Sequence, residues 1–177
     1  MAPAADVSYV QGDANARVDD ILKLIPGPEH GRVLSFCFLD PYKLNIAFET
    51  VRTLAADRPM DFLILLALHV DANRNLDRYV QEESPVIDLL LGDRDWRKRW
   101  NAVEGAGERM VPFLAEEYSR RMALIGYLPM TLEQMVKVRT YEKRLPLYYL
   151  AFFSKHRRGV DFWQEVLKYS DDQLALL

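Results

Sequence analysis

The sequence is short of cysteine, histidine and long apolar runs, and each shortage excludes a class of protein. With Cys37 as its single cysteine, it has neither an intrachain disulfide nor a cysteine metal cage. The three histidines, His30, His69 and His156, lack the spacing of metal ligands. No apolar stretch approaches the ~18 residues of a membrane span, and no signal region opens the chain. We therefore expect a cytoplasmic protein that uses no metal ion and no membrane.

Glycine is scarce where a nucleotide-type cofactor would require it. A Rossmann-type site needs a glycine-rich turn after its first strand, so that the backbone can approach the ligand closely. The chain has eight glycines, and only Gly105 and Gly107 form a G-x-G pair. That pair lies between predicted helices with no strand before it, and we exclude it as a cofactor loop.

The composition that remains is ordinary for a globular domain. Half of the 177 residues are hydrophobic and 28% are charged, with a formal net charge of −3. Residues 1–90 hold 8 basic and 14 acidic residues, whereas residues 91–177 hold 15 basic and 12 acidic residues. The mildly basic second half permits a polyanionic partner such as nucleic acid without requiring one.

Apolar runs alternate with helical periodicity along the chain. Strands are predicted at Val7–Val10, Arg32–Asp40, Met60–Leu68, around Val136 and Val138, and in the run from Pro146. Helices are predicted between them, and the last two strands are close enough for an antiparallel pair. Continuous apolar runs are typical of strands covered on both faces. The order predicts one α/β domain over residues 1–177, with helices on both faces of an open sheet and a helical insertion at about residues 75–125.

An acid, a proline and an aromatic follow the second predicted strand: Asp40, Pro41 and Tyr42. Sites of open α/β sheets lie beyond the carboxyl ends of the strands, so this carboxylate is expected to face a crevice. Pro41 fixes the backbone, and Tyr42 supplies a flat apolar ring. Together they can hold a planar molecule that carries an amine. The sequence leaves an alternative open, in which Asp40 caps the next helix, Pro41 starts it and Tyr42 packs locally.

The third predicted strand ends at a second group of candidate substrate-binding residues. His69 lies on the same side of the predicted sheet as Asp40, and the loop after it supplies Asp71, Asn73 and Arg74. A substrate-lining loop is one interpretation, and ordinary loop and helix-cap chemistry is the other.

Two basic segments lie later in the chain. Lys155, Arg157 and Arg158 follow the last strand, where a phosphate can bind at a strand-to-helix turn, and an ordinary charged turn is the alternative. Arg94–Trp100 places Trp96 and Trp100 four residues apart. We interpret this segment as an amphipathic helix with its tryptophans in the core, rather than as a surface for stacking bases.

Five stretches of the chain, taken together in their order and spacing, can be compared with those of a known protein family. They are QGDAN (11–15), FLDPY (38–42), DFLILL (61–66), DANRNLDRY (71–79) and YYLAFFSKHRRGVDFWQEVL (148–167). In this order they resemble the three-Cys-motif partner proteins, which belong among the Rossmann-type methyltransferases that use S-adenosylmethionine. The resemblance covers most of the chain from Val7 onward.

The resemblance implies roles for individual residues. In amino-directed methyltransferases of this fold, an acid-or-amide, proline and aromatic motif ends the fourth strand, a position that Asp40, Pro41 and Tyr42 occupy. The acid and a backbone carbonyl accept hydrogen bonds from the target amine, and the aromatic stacks on the base. Asp13 matches the acid that contacts the adenine end of the cofactor. The usual motif has two prolines and this chain has one, which leaves the target open, with nucleic-acid amino groups as a candidate.

In family terms the chain begins at the third strand, and the first two strands with the cofactor loop are missing. The resemblance therefore implies a truncated, partial methyltransferase that is inactive alone and binds S-adenosylmethionine only when the missing region completes it. The missing strands would lie between those at Val7 and Val33, so these two pair directly or an edge stays open. We expect a homo-oligomer, dependence on a partner protein, or low stability. The alternative function is a non-catalytic module that binds a protein or nucleic acid.

Overall fold

A computed structural model describes residues 6–27, 33–56, 58–69, 75–104, 109–140 and 146–174. Within these ranges the chain is a mixed α/β structure, which confirms the predicted class at this level. The strands are β1 (Ser35–Leu39), β2 (Met60–Leu66), β3 (Val136–Arg139) and β4 (Pro146–Phe153). The helices are α1 (Val18–Leu24), α2 (Phe48–Ala55), α3 (Leu76–Tyr79), α4 (Val86–Leu91), α5 (Trp96–Glu104), α6 (Met110–Leu124) and α7 (Arg157–Leu174), and a 3-10 turn spans Leu132–Gln134.

The four strands form one sheet in the order β1-β2-β4-β3. β1 and β2 are parallel, and β4 runs antiparallel to both of its neighbours, β2 and β3. The predicted antiparallel pair at the end of the chain is thus confirmed. Because β1, β2 and β3 run in the same direction, their carboxyl ends meet at one edge of the sheet.

Helices cover both faces of the sheet, as predicted. On one face Phe153 of β4 lies 5.9 Å, between ring centroids, from Tyr118 of α6. On the other face Phe152 stacks on Trp163 of α7 at 5.5 Å. Successive residues of a strand point to opposite faces, so Phe152 and Phe153 divide the core between the two helix layers.

The predicted strand at Val7–Val10 is absent. This segment pairs with none of the described strands, and its Tyr9 side chain is 92% exposed. Its short apolar alternation fits a strand, but β propensity is realised only when a neighbouring strand and a buried face are available.

The prediction that the run at Arg32–Asp40 is covered on both faces is also wrong. Phe36 and Phe38 of β1 are 61% and 52% exposed, whereas Cys37 between them is half-buried. The helix on the face of the phenylalanines, α7, packs through Trp163 on β4. That face of β1 is left uncovered by the described residues.

The tryptophan segment has the structure expected of an amphipathic helix. Trp96 and Trp100 of α5 are buried, at 0% and 3% exposure. The Trp96 indole donates to Asp88, which also pairs with Arg97, and the Arg97 guanidinium donates to the carbonyl of Ser84 at 2.7 Å. The core interpretation of the tryptophans is therefore confirmed. In the parts of the chain that the structure covers, no helix combines the length and apolarity needed to cross a bilayer.

Candidate functional site

The acid–proline–tyrosine segment lies at the carboxyl end of β1, at the rim of the sheet. Asp40 directly follows the last strand residue, Leu39, and is exposed. The Tyr42 ring is 77% exposed, and Pro41 is half-buried against an apolar cleft that Leu66 and Tyr118 also line. The carboxylate and the ring are thus both open to a ligand, while the proline between them is anchored.

Asp40 does not cap the following helix. α2 begins at Phe48 with Ala47 as its N-cap residue, so seven residues separate Asp40 from the helix. Tyr42 is too exposed to pack locally. Pro41 does not start α2 either, so all three parts of the alternative interpretation of this segment fail.

The loop between Asp40 and α2 is held by Asn15, a residue that sequence reasoning missed. Asn15 Oδ1 accepts from the Ala47 amide at 2.9 Å and from the Thr50 hydroxyl at 2.8 Å. Asn15 Nδ2 donates to the Asn45 carbonyl at 2.8 Å. A single side chain thus ties the start of α2 to the loop that carries the candidate site. Its place at the end of the QGDAN stretch was the only signal, and this gave no role for it, since its partners lie 30 to 35 residues away.

Asp13 shapes the turn that presents Asn15. Its Oδ1 accepts from the Asn15 amide at 2.8 Å, and its carbonyl accepts from the amides of Ala16 and Arg17 at 3.0 Å each. This geometry gives Asp13 a structural role. Its contact with a cofactor stays a prediction.

His69 lies at the same edge of the sheet and packs on β4. Its ring stacks on Tyr149 with 5.3 Å between centroids, and its buried Nε2 has no hydrogen-bond partner among the described residues. Burial lowers the pKa of His69, and the nearby charges of Lys137, Arg139 and Arg109 lower it further. The imidazole is therefore neutral near pH 7. Asp71, Asn73 and Arg74, the other residues predicted here, lie outside the described residues.

Asp40 and His69 share an edge of the sheet without converging. Leu39 is level with Ile64 in the β1–β2 register, so His69 comes four residues beyond the position opposite Asp40. Its ring turns toward β4, on the far side of β2 from β1. One small ligand held by Asp40 would not be centred on His69.

The predicted basic cluster lies at the opposite edge of the sheet, after the carboxyl end of β4. Lys155 Nζ donates to the Ala55 carbonyl at the end of α2, at 3.0 Å, and lies 5.1 Å from the centre of the Tyr127 ring. Arg157 pairs with Asp161 one turn later in α7, at 2.9 Å. Lys155 joins α2 to the β4–α7 turn, and neither it nor its neighbours form a common site with Asp40. A phosphate contact through Arg157 and Arg158, both exposed, stays a prediction.

The described residues form neither the backbone cradle that S-adenosylmethionine needs nor a cluster of metal ligands. Their glycines with positive φ are Gly12, Gly92 and Gly126, and none of them follows a strand at the carboxyl edge. A backbone cradle for a nucleotide-type cofactor is therefore missing from these ranges. No group of three His, Cys, Asp or Glu side chains converges there as a metal site.

Comparison with family models, with curated proteins and with solved structures finds no match to this chain.

Proposed function

We propose that this chain is the amine-binding part of a methyltransferase-type sheet and is inactive by itself. The observation that carries the proposal is the position of Asp40. Its exposed carboxylate follows an edge strand, at the rim where the ends of three same-direction strands meet. That is the position in which the family resemblance expects the acid of an amine-binding motif.

The arrangement of the sheet supports the proposal. In a doubly wound fold with strand order 3-2-1-4-5-6, the fourth strand lies between the first and the fifth, and ligands bind where the order reverses. If β1 corresponds to the fourth strand and β2 to the fifth, the open side of β1 corresponds to the place of the missing first strand. Asp40 would then lie at the point where the strand order reverses, beside the place of the first strand, which the described residues lack.

The side chains at this rim suit a planar amine. The carboxylate of Asp40 accepts N–H hydrogen bonds, and the backbone carbonyl of Pro41 offers a further acceptor. The exposed ring of Tyr42 offers a face on which a nucleobase can stack, worth about 1–3 kcal/mol per base. These groups orient an amine nitrogen, and orientation is a large part of catalysis for a transfer reaction between two bound partners. The methyl donor would be held by polypeptide other than the residues described here.

Binding of nucleosides tests the proposal. Adenosine carries an exocyclic amine, and inosine has a carbonyl oxygen in its place. Titration of the ¹⁵N-labelled chain should move the amide signals of Asp40 and Tyr42 with adenosine and much less with inosine. Asp40→Ala and Tyr42→Ala should weaken the response, while Asp6→Ala and Tyr9→Ala, at exposed positions outside the site, should leave it unchanged.

Two results would overturn the proposal. An equal response to adenosine and inosine would show that the amine is not recognised, and an unchanged response in Asp40→Ala would place binding elsewhere. Calorimetry with S-adenosylmethionine tests whether the cofactor-binding part is missing. Binding tighter than about 1 mM, a gain of ~4 kcal/mol, would show that this chain holds the methyl donor itself.

A non-catalytic binding module is the second candidate. The observation that favours it is the lack of a glycine-rich turn after any described strand. Such a module would retain the fold without an amine site, so the nucleoside titration separates the two candidates: a module of this kind does not respond more strongly to adenosine than to inosine.

A further inference from the structure

The outer edge of β1 is an open hydrogen-bonding surface. The Ser35 amide donates to the Pro59 carbonyl at 3.0 Å, so the backbone of Ser35 is directed toward β2. In a parallel pair the N–H and C=O groups of alternate residues point to opposite sides. The backbone groups of Phe36 and Phe38 are therefore directed away from β2, where the described residues provide no strand.

An exposed apolar surface adjoins this edge. Leu34, Phe36 and Phe38 share one face of the strand and are 84%, 61% and 52% exposed. On α7, Phe162 and Val166 lie one turn apart and are 67% and 39% exposed. We call these five residues the β1 patch.

The two parts of the β1 patch lie on the same face of the sheet. A side chain placed at Gly159, near the start of α7, would contact Asp61 Oδ2 at 3.4 Å. Asp61 is the β2 residue level with Phe36, and it shares the face of Phe36. The start of α7 thus stands beside the exposed phenylalanines.

The edge lacks the features that normally prevent strands from pairing. In natural proteins, charged side chains, proline or bulges in an edge strand prevent it from pairing with another strand. Ser35–Leu39 contains no charged residue and no proline, and its pairing with β2 has a continuous register. Nothing in the strand itself opposes the addition of another strand.

We propose that this edge is closed by a second copy of the chain, with the two β1 strands antiparallel around a two-fold axis at Cys37. The sequence Phe36-Cys37-Phe38 is symmetric about that cysteine. Each Phe36 then pairs directly with Phe38 of the other copy, and aromatic cross-strand pairs are among the stabilising ones. The two sheets become one continuous sheet that contains the four described strands of each copy.

The apolar area at this edge supplies more than half of what each partner contributes to a stable dimer. An aromatic side chain has about 150–250 Å² of surface, and three phenylalanines of the β1 patch expose more than half of theirs. With Leu34 and Val166 the patch presents about 500 Å² of apolar surface, a large part of the ~800 Å² that each partner contributes to a standard interface.

The dimer does not rest on the proposed function, and it has a consequence for it. A strand from another polypeptide that completed the sheet beside β1 would need the same edge. The two associations are therefore mutually exclusive, and the dimer is the state of the chain in the absence of such a polypeptide.

Light scattering tests the dimer with the full chain. At about 100 µM the expected mass is twice the 20.6 kDa of one chain. Phe36→Lys and Phe38→Lys each place a charge in the interface and should weaken the dimer at least about tenfold. Leu89→Lys, at a leucine of α4 that is 55% exposed, is the matched control and should leave the mass unchanged. Circular dichroism verifies that each variant is folded.

Amide exchange on the wild-type chain gives a test that needs no variant. In a monomer the amides of Phe36 and Phe38 face solvent and exchange fast, whereas those of Cys37 and Leu39 are protected by β2. In the dimer the Phe36 and Phe38 amides become protected as concentration rises. A monomer at all concentrations, or a dimer that Phe36→Lys and Phe38→Lys leave intact, would overturn the proposal.

The only cysteine reports the register. In an antiparallel pair centred on Cys37 the two Cα atoms are about 4.5 Å apart, because the Cys37 backbone groups point away from the edge. That separation allows a disulfide. Diamide should therefore give a covalent dimer in the wild-type chain and little in Phe36→Lys. A covalent dimer that forms equally in the wild-type chain and in Phe36→Lys would overturn the pairing at Cys37.

Discussion

Gly159 and Ser154 approach so closely that no larger residue fits at position 159. A Cβ atom there would lie 2.3 Å from Ser154 Oγ and 2.7 Å from Ser154 Cβ. Ser154 is 1% exposed, and its hydroxyl accepts from the His156 amide at 3.1 Å. The first turn of α7 is thus packed directly against the end of β4, which fixes the helix over its face of the sheet.

Gly159→Ala should lower the free energy of unfolding by about 1–3 kcal/mol, the usual cost of overpacking. Alanine is intrinsically favoured in a helix by about 1 kcal/mol over glycine, so a net loss would identify the clash. Urea unfolding of Gly159→Ala measures the loss. Ser154→Gly in the same chain removes both clashing atoms and should recover part of it, whereas a Gly159→Ala variant more stable than wild type would contradict the packing.

Asn15→Ala should destabilise the chain by about 1–2 kcal/mol, as expected when part-buried hydrogen-bond donors lose their acceptor. It removes the acceptor of the Ala47 amide and of the Thr50 hydroxyl. Asn15→Asp keeps that acceptor and should cost less. Chemical unfolding gives the values, with Asn101→Ala, at an exposed position of α5, as the control. Equal losses in Asn15→Ala and Asn101→Ala would show that the hydrogen bonds of Asn15 do not stabilise the fold.

The sequence predicts those parts of the fold that depend on local periodicity. The apolar run from Met60 and the run from Pro146 became β2 and β4, and the four-residue repeat from Met110 to Met122 became α6. Such segments carry their own pattern of burial, so the residues within them suffice for the prediction.

Features that depend on a distant neighbour were not predictable. The run that forms β1 has the composition of a covered strand, but coverage is decided by where α7 packs and by which strand lies beside it. Lys155 belongs to a local run of positive charge, yet its ammonium caps α2 through Ala55, 100 residues away. The exposure of Asp40 followed from its place after a strand, whereas the anchoring of its loop by Asn15 did not.

Cys37 should react slowly with alkylating reagents. Burial raises the pKa of its thiol from an ordinary 9.0 to about 11, so little thiolate is present near pH 8. The iodoacetamide rate of the folded chain should therefore keep rising through pH 11, whereas the rate of the chain unfolded in urea reaches half of its maximum near pH 9 and levels off above it. Because the folded state holds this proton more tightly, its contribution to stability is complete below pH 9 and is lost as the pH rises through 11. Identical pH profiles in the folded and unfolded chains would contradict the burial of the thiol.

Glu117 of α6 is a nearly buried carboxylate held by two arginines. It accepts from Arg99 Nη2 at 2.6 Å and from Arg120 Nη2 at 2.7 Å, and Arg99 also pairs with Asp93 at 2.7 Å. Burial alone would raise the pKa of Glu117, but the hydrogen bonds from Arg99 and Arg120 outweigh it and hold this pKa below its ordinary value. Glu117→Gln should cost about 2 kcal/mol, less than a fully buried pair because Arg99 is partly exposed.

The pH dependence of the free energy of unfolding measures the contribution of the Glu117 carboxylate separately. A folded pKa below the unfolded one means that the contribution of Glu117 is present above pH 4.5 and is lost as the pH falls through the folded value. Urea midpoints measured from neutral to acidic pH should therefore fall less steeply below pH 4.5 in Glu117→Gln than in wild type. Asp95→Asn, which breaks only the exposed pair with Lys98, should follow the wild-type curve. Parallel curves for Glu117→Gln and wild type would mean that the ion pairs around α6 do not hold this carboxylate ionised.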